Sequence, residues 1–157
     1  MIHPTAIIYP NVTIEENVSI GPYCVIGSPA EWKSNKENMG VVIRSGTIIT
    51  GLVTIDSGGL HPTYIGRNCY IMKHAHIGHD AIIEDEVTLS CGAKIGGHCI
   101  IGEGTNIGLN AVIHQKVTIP YGCMIGASSF VGKKSNLKHL HKYAGVPVRD
   151  LGENIKK

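Results

Sequence analysis

Large apolar residues recur every six positions along most of this chain. From residue 65 to 136 the column is Ile65, Ile71, Ile77, Ile83, Leu89, Ile95, Ile101, Ile107, Ile113, Ile119, Ile125 and Val131, without a slip. Four residues after each stands a smaller one, among them Cys69, Ala75, Ala81, Ala93, Cys99, Thr105, Ala111 and Cys123. The same period opens the chain at Ile2, Ile8, Ile14, Ile20 and Ile26, and returns at Ile43, Ile49 and Ile55. A fixed short period predicts a solenoid, whose units stack because none buries its apolar side alone. Six residues are too few for a helix-containing unit and suit a short strand plus a tight turn. A β-branched column fits parallel strands stacked about 4.8 Å apart. Each buried Ile contributes roughly 1.5–3 kcal/mol before chain entropy is subtracted. Nine of the 20 glycines directly follow the large residue, Gly78 and Gly96 among them. A repeated Gly marks a repeated backbone need, either unusual dihedrals or close approach.

The period breaks twice, at 28–42 and at 57–64, and is read as ending at Asn136. The expected organisation is one all-β domain. It has a repeat region over 1–136 with excursion loops at 28–42 and 57–64, and a short C-terminal tail over 137–157. Formal charge is +2, and one Trp, one Phe and six Tyr give neither a basic stripe nor a stacking platform, so nucleic acid is not an expected partner. The opening Met-Ile-His-Pro has no leader character, and no apolar run approaches the roughly 18 residues of a membrane span. Four of the five cysteines (Cys24, Cys69, Cys99, Cys123) fall in the small column, and Cys91 stands alone. This predicts packing thiols in a reduced, cytoplasmic protein with neither disulfide nor thiolate metal site.

The unit Ile-Gly-x-x-small-x resembles the hexapeptide-repeat family. That resemblance implies a left-handed parallel β-helix with three hexads per coil, so residues 18 apart stack. Counting each excursion as one corner insertion puts Ile26, Ile55, Ile77, Ile95, Ile113 and Val131 on a single face, and both loops leave from the corner after it. The outward residues of that face include His79, Asp80, His98, His114, Gln115, Lys133 and Lys134, with His76 at the corner entering it. One outward His reads as solvated surface. Four beside an Asp, beneath two converging loops, read as a site.

Within the family, His74-Ala75-His76-Ile77-Gly78-His79-Asp80, Gly97-His98 and Ala111-Val112-Ile113-His114-Gln115 resemble segments of the UDP-N-acetylglucosamine O-acyltransferases of lipid A biosynthesis. The opening Ile2-His3-Pro4-Thr5-Ala6 and the Gly58-Gly59-Leu60 excursion share the likeness. It implies that His79 is the general base, that Asp80 orients it, and that His76, His98 and His114 contact acyl donor or sugar acceptor, with Gln115 helping to position the sugar. Asn154-Ile155 falls where such enzymes begin a nucleotide-contacting helix, which makes Asn154 a candidate substrate contact. Gly96 and Gly97 are candidate oxyanion donors, and Lys133 and Lys134 candidate partners of the donor's phosphates. The helical domain of those enzymes has no counterpart before Lys157. The ending Ala144-Gly145-Val146-Pro147-Val148-Arg149 instead resembles the tail of small acetyltransferases. The expectation is therefore transfer of a short acyl group, acetyl, from acetyl-CoA or another acyl-CoA to a hydroxyl or amine of a nucleotide-linked sugar, by a homotrimer without a metal. An acyl-carrier-protein-dependent sugar acyltransferase is the alternative. From another class, a zinc carbonic-anhydrase-like trimer finds support in His74 and His79, five apart, but the face over 43–56 lacks the third His.

Overall fold

Three sheets of seven, six and eight strands, parallel except for the last pair of the third, wrap the isoleucine column in the computed structural model of the chain, which describes residues 1–34 and 37–155. Residues 18 apart pair along each sheet: Ile77 with Ile95, Ile95 with Ile113, and Ile113 with Val131. The fold is the left-handed parallel β-helix. Ile55, Ile77, Ile95, Ile101 and Val131 are fully buried, as are Ala81, Ala93, Cys99 and Cys123 of the small column. Large and small residues therefore alternate inward and fill a narrow prism at interior packing density. Among the described residues no helix is long and apolar enough to cross a membrane.

The backbone need behind the repeat divides between two positions. The Gly after each large residue answers close stacking: a Cβ on Gly96 would lie 2.5 Å from the backbone nitrogen of Gln115 on the next coil. The unusual dihedral falls two residues later. Asp80, His98 and Lys116, stacked 18 apart, have φ of 57°, 57° and 61°. Left-handed backbone is unfavourable for these side chains by about 1–2 kcal/mol each.

The seven-stranded sheet holds Ile26, Ile55, Ile77, Ile95, Ile113 and Val131. Both excursions do leave its exit corner, after the strands Val25–Ser28 and Thr54–Asp56. They are tied to each other there. Gly40 and Gly58 form an isolated bridge, Met39 N–H donates to Gly58 O at 2.9 Å, and Gly40 N–H donates to Ser57 Oγ at 2.8 Å. Pairing resumes at Val41, earlier than the isoleucine period shows.

The period also outlasts Asn136. Leu137 packs on the core, and Tyr143, 18 residues after Ile125, pairs with it and is 2% exposed. The strand His141–Gly145 thus adds to the eight-stranded sheet and turns back antiparallel through Val148–Glu153. The sequence hid this because the column residue changes from Ile to Leu and Tyr.

Candidate active site

Asp80 is the fixed point of the site. Although expected to face outward, it is 2% exposed, because the 57–64 excursion folds over it. Oδ1 accepts from the backbone N–H groups of Leu60 at 2.7 Å and His61 at 3.0 Å. Gly59 N–H donates to both oxygens, at 3.1 and 3.0 Å. Its own N–H donates to Thr63 Oγ1 at 2.9 Å. Burial raises the carboxyl's pKa, but the bond from His79 and the three backbone donors outweigh it and hold the group well below the usual carboxylate range. Asp80 is thus an ionised, acceptor-only group.

That fixes His79. Its Nδ1 lies 2.8 Å from Asp80 Oδ2 and must donate there, which leaves Nε2 with a free lone pair. A Cβ on Gly97 would stand 2.7 Å from Nε2, so only Gly lets the ring lie there. The same glycine offers a donor. Gly96 N–H donates to Ile113 O at 3.0 Å, whereas Gly97 N–H meets no acceptor among the described residues. Of the two expected oxyanion donors, only Gly97 is free; Gly96 belongs to the ladder.

His98 stacks one coil above Asp80, with its Nδ1 3.9 Å from Oδ2. Its ring meets that of His79 edge-on, centroids 4.8 Å apart. Burial lowers its pKa, with Asp80 opposing and His79, Lys116 and His61 adding to the lowering. Trp32, from the first excursion, lies over both rings. It is stacked on His79 at 5.4 Å and 19°, and edge-on to His98 at 5.6 Å. Glu31, Trp32, Lys33, His79, His98, Gln115 and Lys116 line a pocket of about 230 Å³.

The other expected site residues are less gathered. His76 lies on its strand, inside the face rather than at the corner. Its Nδ1 is 2.8 Å from Thr54 Oγ1 and its Nε2 3.9 Å from the buried Asp56. His114 Nδ1 donates to Gln115 O at 3.0 Å, and its ring meets Phe130 edge-on, centroids 6.4 Å apart. With Phe130, Lys133, Lys134, Pro147 and Val148 it lines a second pocket of about 500 Å³. The two pockets adjoin at the His114–Gln115 step. Asn154 is not brought to the histidines. Its Nδ2 donates to Gly122 O at 2.9 Å, beside His139 and His141 next to the eight-stranded sheet.

Sequence reasoning passed over Trp32, Thr63 and the backbone of Gly59–His61. The chain's single Trp, inside an excursion, was the one available signal. Among the described residues, the atoms near enough to share an ion are those of His79, Asp80 and His98, all within 4.8 Å. His74, exposed in the preceding turn, is not among them. Asp80's oxygens already accept four N–H donors, as suits a hydrogen-bonded relay rather than a ligand shell, and the zinc alternative gains no support.

Residues 1–28 and 62–97 match the family model described as bacterial transferase hexapeptide (six repeats). The acyl-[acyl-carrier-protein]–UDP-N-acetylglucosamine O-acyltransferase of Rickettsia canadensis is 32% identical over 101 residues, covering 59% of this chain and 36% of that protein. The like-named protein of Paraburkholderia phymatum is 30% identical over 134 residues, 60% of this chain and 51% of the relative. The chain thus spans about a third to a half of these curated relatives. LpxA from Acinetobacter baumannii superposes with a TM-score of 0.81 at 26% identity, covering 98% of this chain and 74% of that one. The register of the isoleucine column, the three sheets and these likenesses agree: the chain has the left-handed β-helix fold, and over residues 1–28 and 62–97 it is similar to the bacterial transferase hexapeptide family.

Proposed function

We propose that the protein is an acyltransferase. It moves a short acyl group, acetyl, from a CoA thioester to a hydroxyl or amine of a nucleotide-linked sugar. The observation that carries this is the Asp80–His79–Gly97 arrangement: a base with its lone pair fixed by a buried carboxylate, beside a free backbone donor. His79 Nε2 takes the proton from the acceptor's nucleophile as that atom attacks the thioester carbonyl. Gly97 N–H donates to the oxygen as it becomes negative. The new C–O or C–N bond stays, the C–S bond breaks, and the imidazolium returns its proton to the departing thiolate.

The acceptor's sugar takes the pocket beneath Trp32, bordered by His98 and Gln115. The donor takes the adjoining one, where Phe130, Pro147 and Val148 suit a pantetheine arm and Lys133 and Lys134 suit its phosphates. A variant of perosamine N-acetyltransferase from Caulobacter crescentus, solved in complex with CoA and GDP-perosamine, shares the fold at a TM-score of 0.63 and 19% identity, covering 95% of this chain and 57% of that one. An acyl-carrier-protein donor is the second candidate, favoured by the names of the curated relatives. Both pockets are shallow walls of one subunit, so we assign the working site to a homotrimer whose neighbour closes it and completes the contacts of His76 and Asn154. Sedimentation as a monomer at micromolar concentration counts against this. Five free cysteines suit the cytoplasm.

The test is thiol release from acetyl-CoA and from acyl-carrier-protein thioesters, against a panel of uridine- and guanosine-linked amino sugars. Acceptor-dependent release that disappears in His79→Ala supports the proposal. No transfer from any thioester, or release unchanged in His79→Ala, overturns it.

A further inference from the structure

We propose that Trp32 is a positioning residue for the acyl transfer, acting through His79 by stabilising the imidazolium that forms when the base takes the acceptor's proton. This rests on the acyltransferase proposal above, and its test separates the two.

Trp32 is the only Trp in the chain, and it sits on an excursion whose outward position would leave an indole in water. Instead it lies nearly parallel to His79, interplanar angle 19°, and edge-on to His98. The loop is held in this place from several sides. Trp32 N–H donates to Ala30 O at 2.7 Å and Met39 N–H to Gly58 O at 2.9 Å. Ser28 Oγ donates to the buried Asp56 at 3.3 Å. Both excursions therefore serve the same His–Asp pair. The second grips the carboxylate by backbone N–H groups, and the first covers the imidazole with a π face.

The face of Trp is the best aromatic partner for a cation. Against a ring whose side chain is 12% exposed, it attracts the imidazolium more than the neutral imidazole. Its contribution therefore appears only as the proton arrives, which is the condition for raising turnover rather than ground-state binding. Among the described residues, the charged and titratable groups around His79 are Asp80 on its Nδ1, His98 edge-on to its ring, Glu31, Lys33 and Lys116 in the same pocket, and His61, whose backbone N–H donates to Asp80. None is removed with the indole, so a change on replacing Trp32 belongs to the indole and to the water that takes its place.

Trp32→Ala is expected to lower kcat by about 2- to 30-fold with a smaller change in KM. The acid limb of the kcat/KM profile should move to lower pH by about half to one and a half units, because the protonated ring has lost its partner. Trp32→Phe should recover part of both effects. Unchanged kcat and pH profile in Trp32→Ala, a change confined to KM, or an acid limb moving upward would overturn the proposal.

A second measurement needs no substrate. An imidazolium against an indole quenches its emission by accepting an electron from the excited ring. Trp32 fluorescence should show a fall as pH is lowered that persists in His98→Ala and is lost in His79→Ala. A step that survives in His79→Ala breaks the contact on which the inference stands. If the protein transfers no acyl group at all, the proposed function fails while this titration still decides whether the indole senses His79.

Discussion

Replacing Asp80 by Asn changes one oxygen into an NH₂ group and nothing else in shape. In the wild type both oxygens accept. Oδ1 takes the N–H groups of Leu60, His61 and Gly59, while Oδ2 takes His79 Nδ1 at 2.8 Å and shares Gly59. An amide nitrogen in the Oδ1 place would confront three donors; in the Oδ2 place it confronts His79 and half of one. The second costs less, so the amide turns its NH₂ to the imidazole. Nδ1 must then accept, and the proton moves to Nε2, where the base needs its lone pair. A base held in the wrong tautomer costs on the order of 10⁴ in serine proteases, and full loss of a general base costs about 10²–10⁴. We expect kcat/KM to fall by about 10³ or more. Loss of charge from the remaining hydrogen bonds should lower stability by about 2–3 kcal/mol, one charge-assisted bond's worth.

The two effects separate by pH. The native carboxyl titrates well below the unfolded value of about 4. Its stabilisation is complete above that value and is lost as pH falls through the native one. Urea unfolding of wild type and variant should therefore differ most near neutrality and converge in acid. Nitrogen NMR of the ring reads the tautomer directly. An Asp80→Asn protein that keeps a tenth of wild-type activity, or shows Nε2 unprotonated, refutes the assignment of the carboxylate as the group that orients the base.

Three further expectations follow from the geometry. His79→Ala should lose about 10²–10⁴-fold in kcat and about 1.5–3 kcal/mol of stability, since it removes a charge-assisted bond to the buried Asp80, whereas His74→Ala, exposed in the preceding turn, should transfer at near wild-type rate; the reverse order in steady-state assays would move the base elsewhere. Gly97→Ala should fold, because φ there is not left-handed, yet lose activity, since its methyl would stand 2.7 Å from His79 Nε2 and displace the ring; a wild-type rate would show that the ring need not occupy that place. Cys24, Cys69, Cys99 and Cys123 are buried, and burial raises the pKa of each thiol, that of Cys69 to about 11. A thiol reagent should label Cys91 first in native protein and the other four only on unfolding; rapid labelling of all five would contradict the inward register.

The hexad column determined much by itself. A period of six with β-branched residues leaves a stacked parallel coil as the way to bury one side of every unit. With the three hexads per coil that the family resemblance implies, counting by 18 places Ile26, Ile55, Ile77, Ile95, Ile113 and Val131 on one sheet, as they are found. Regularity made this possible, because each position repeats the environment of its neighbour one coil away. Where the column changes residue type, at Leu137 and Tyr143, the period persists in the structure although isoleucine no longer marks it. The site lies where regularity ends, on the excursions, whose path depends on long-range contacts that no period encodes. That Asp80 is buried, that Gly59–His61 point their N–H groups at it, and that Trp32 settles on His79 were decided by how two loops leaving one corner pack together. Periodicity could gather histidines onto a face. Only the tertiary structure separated the pair that touches, His79 and His98, from His76 and His114, because an outward side chain's partner is set by the loop above it and not by its place in the hexad.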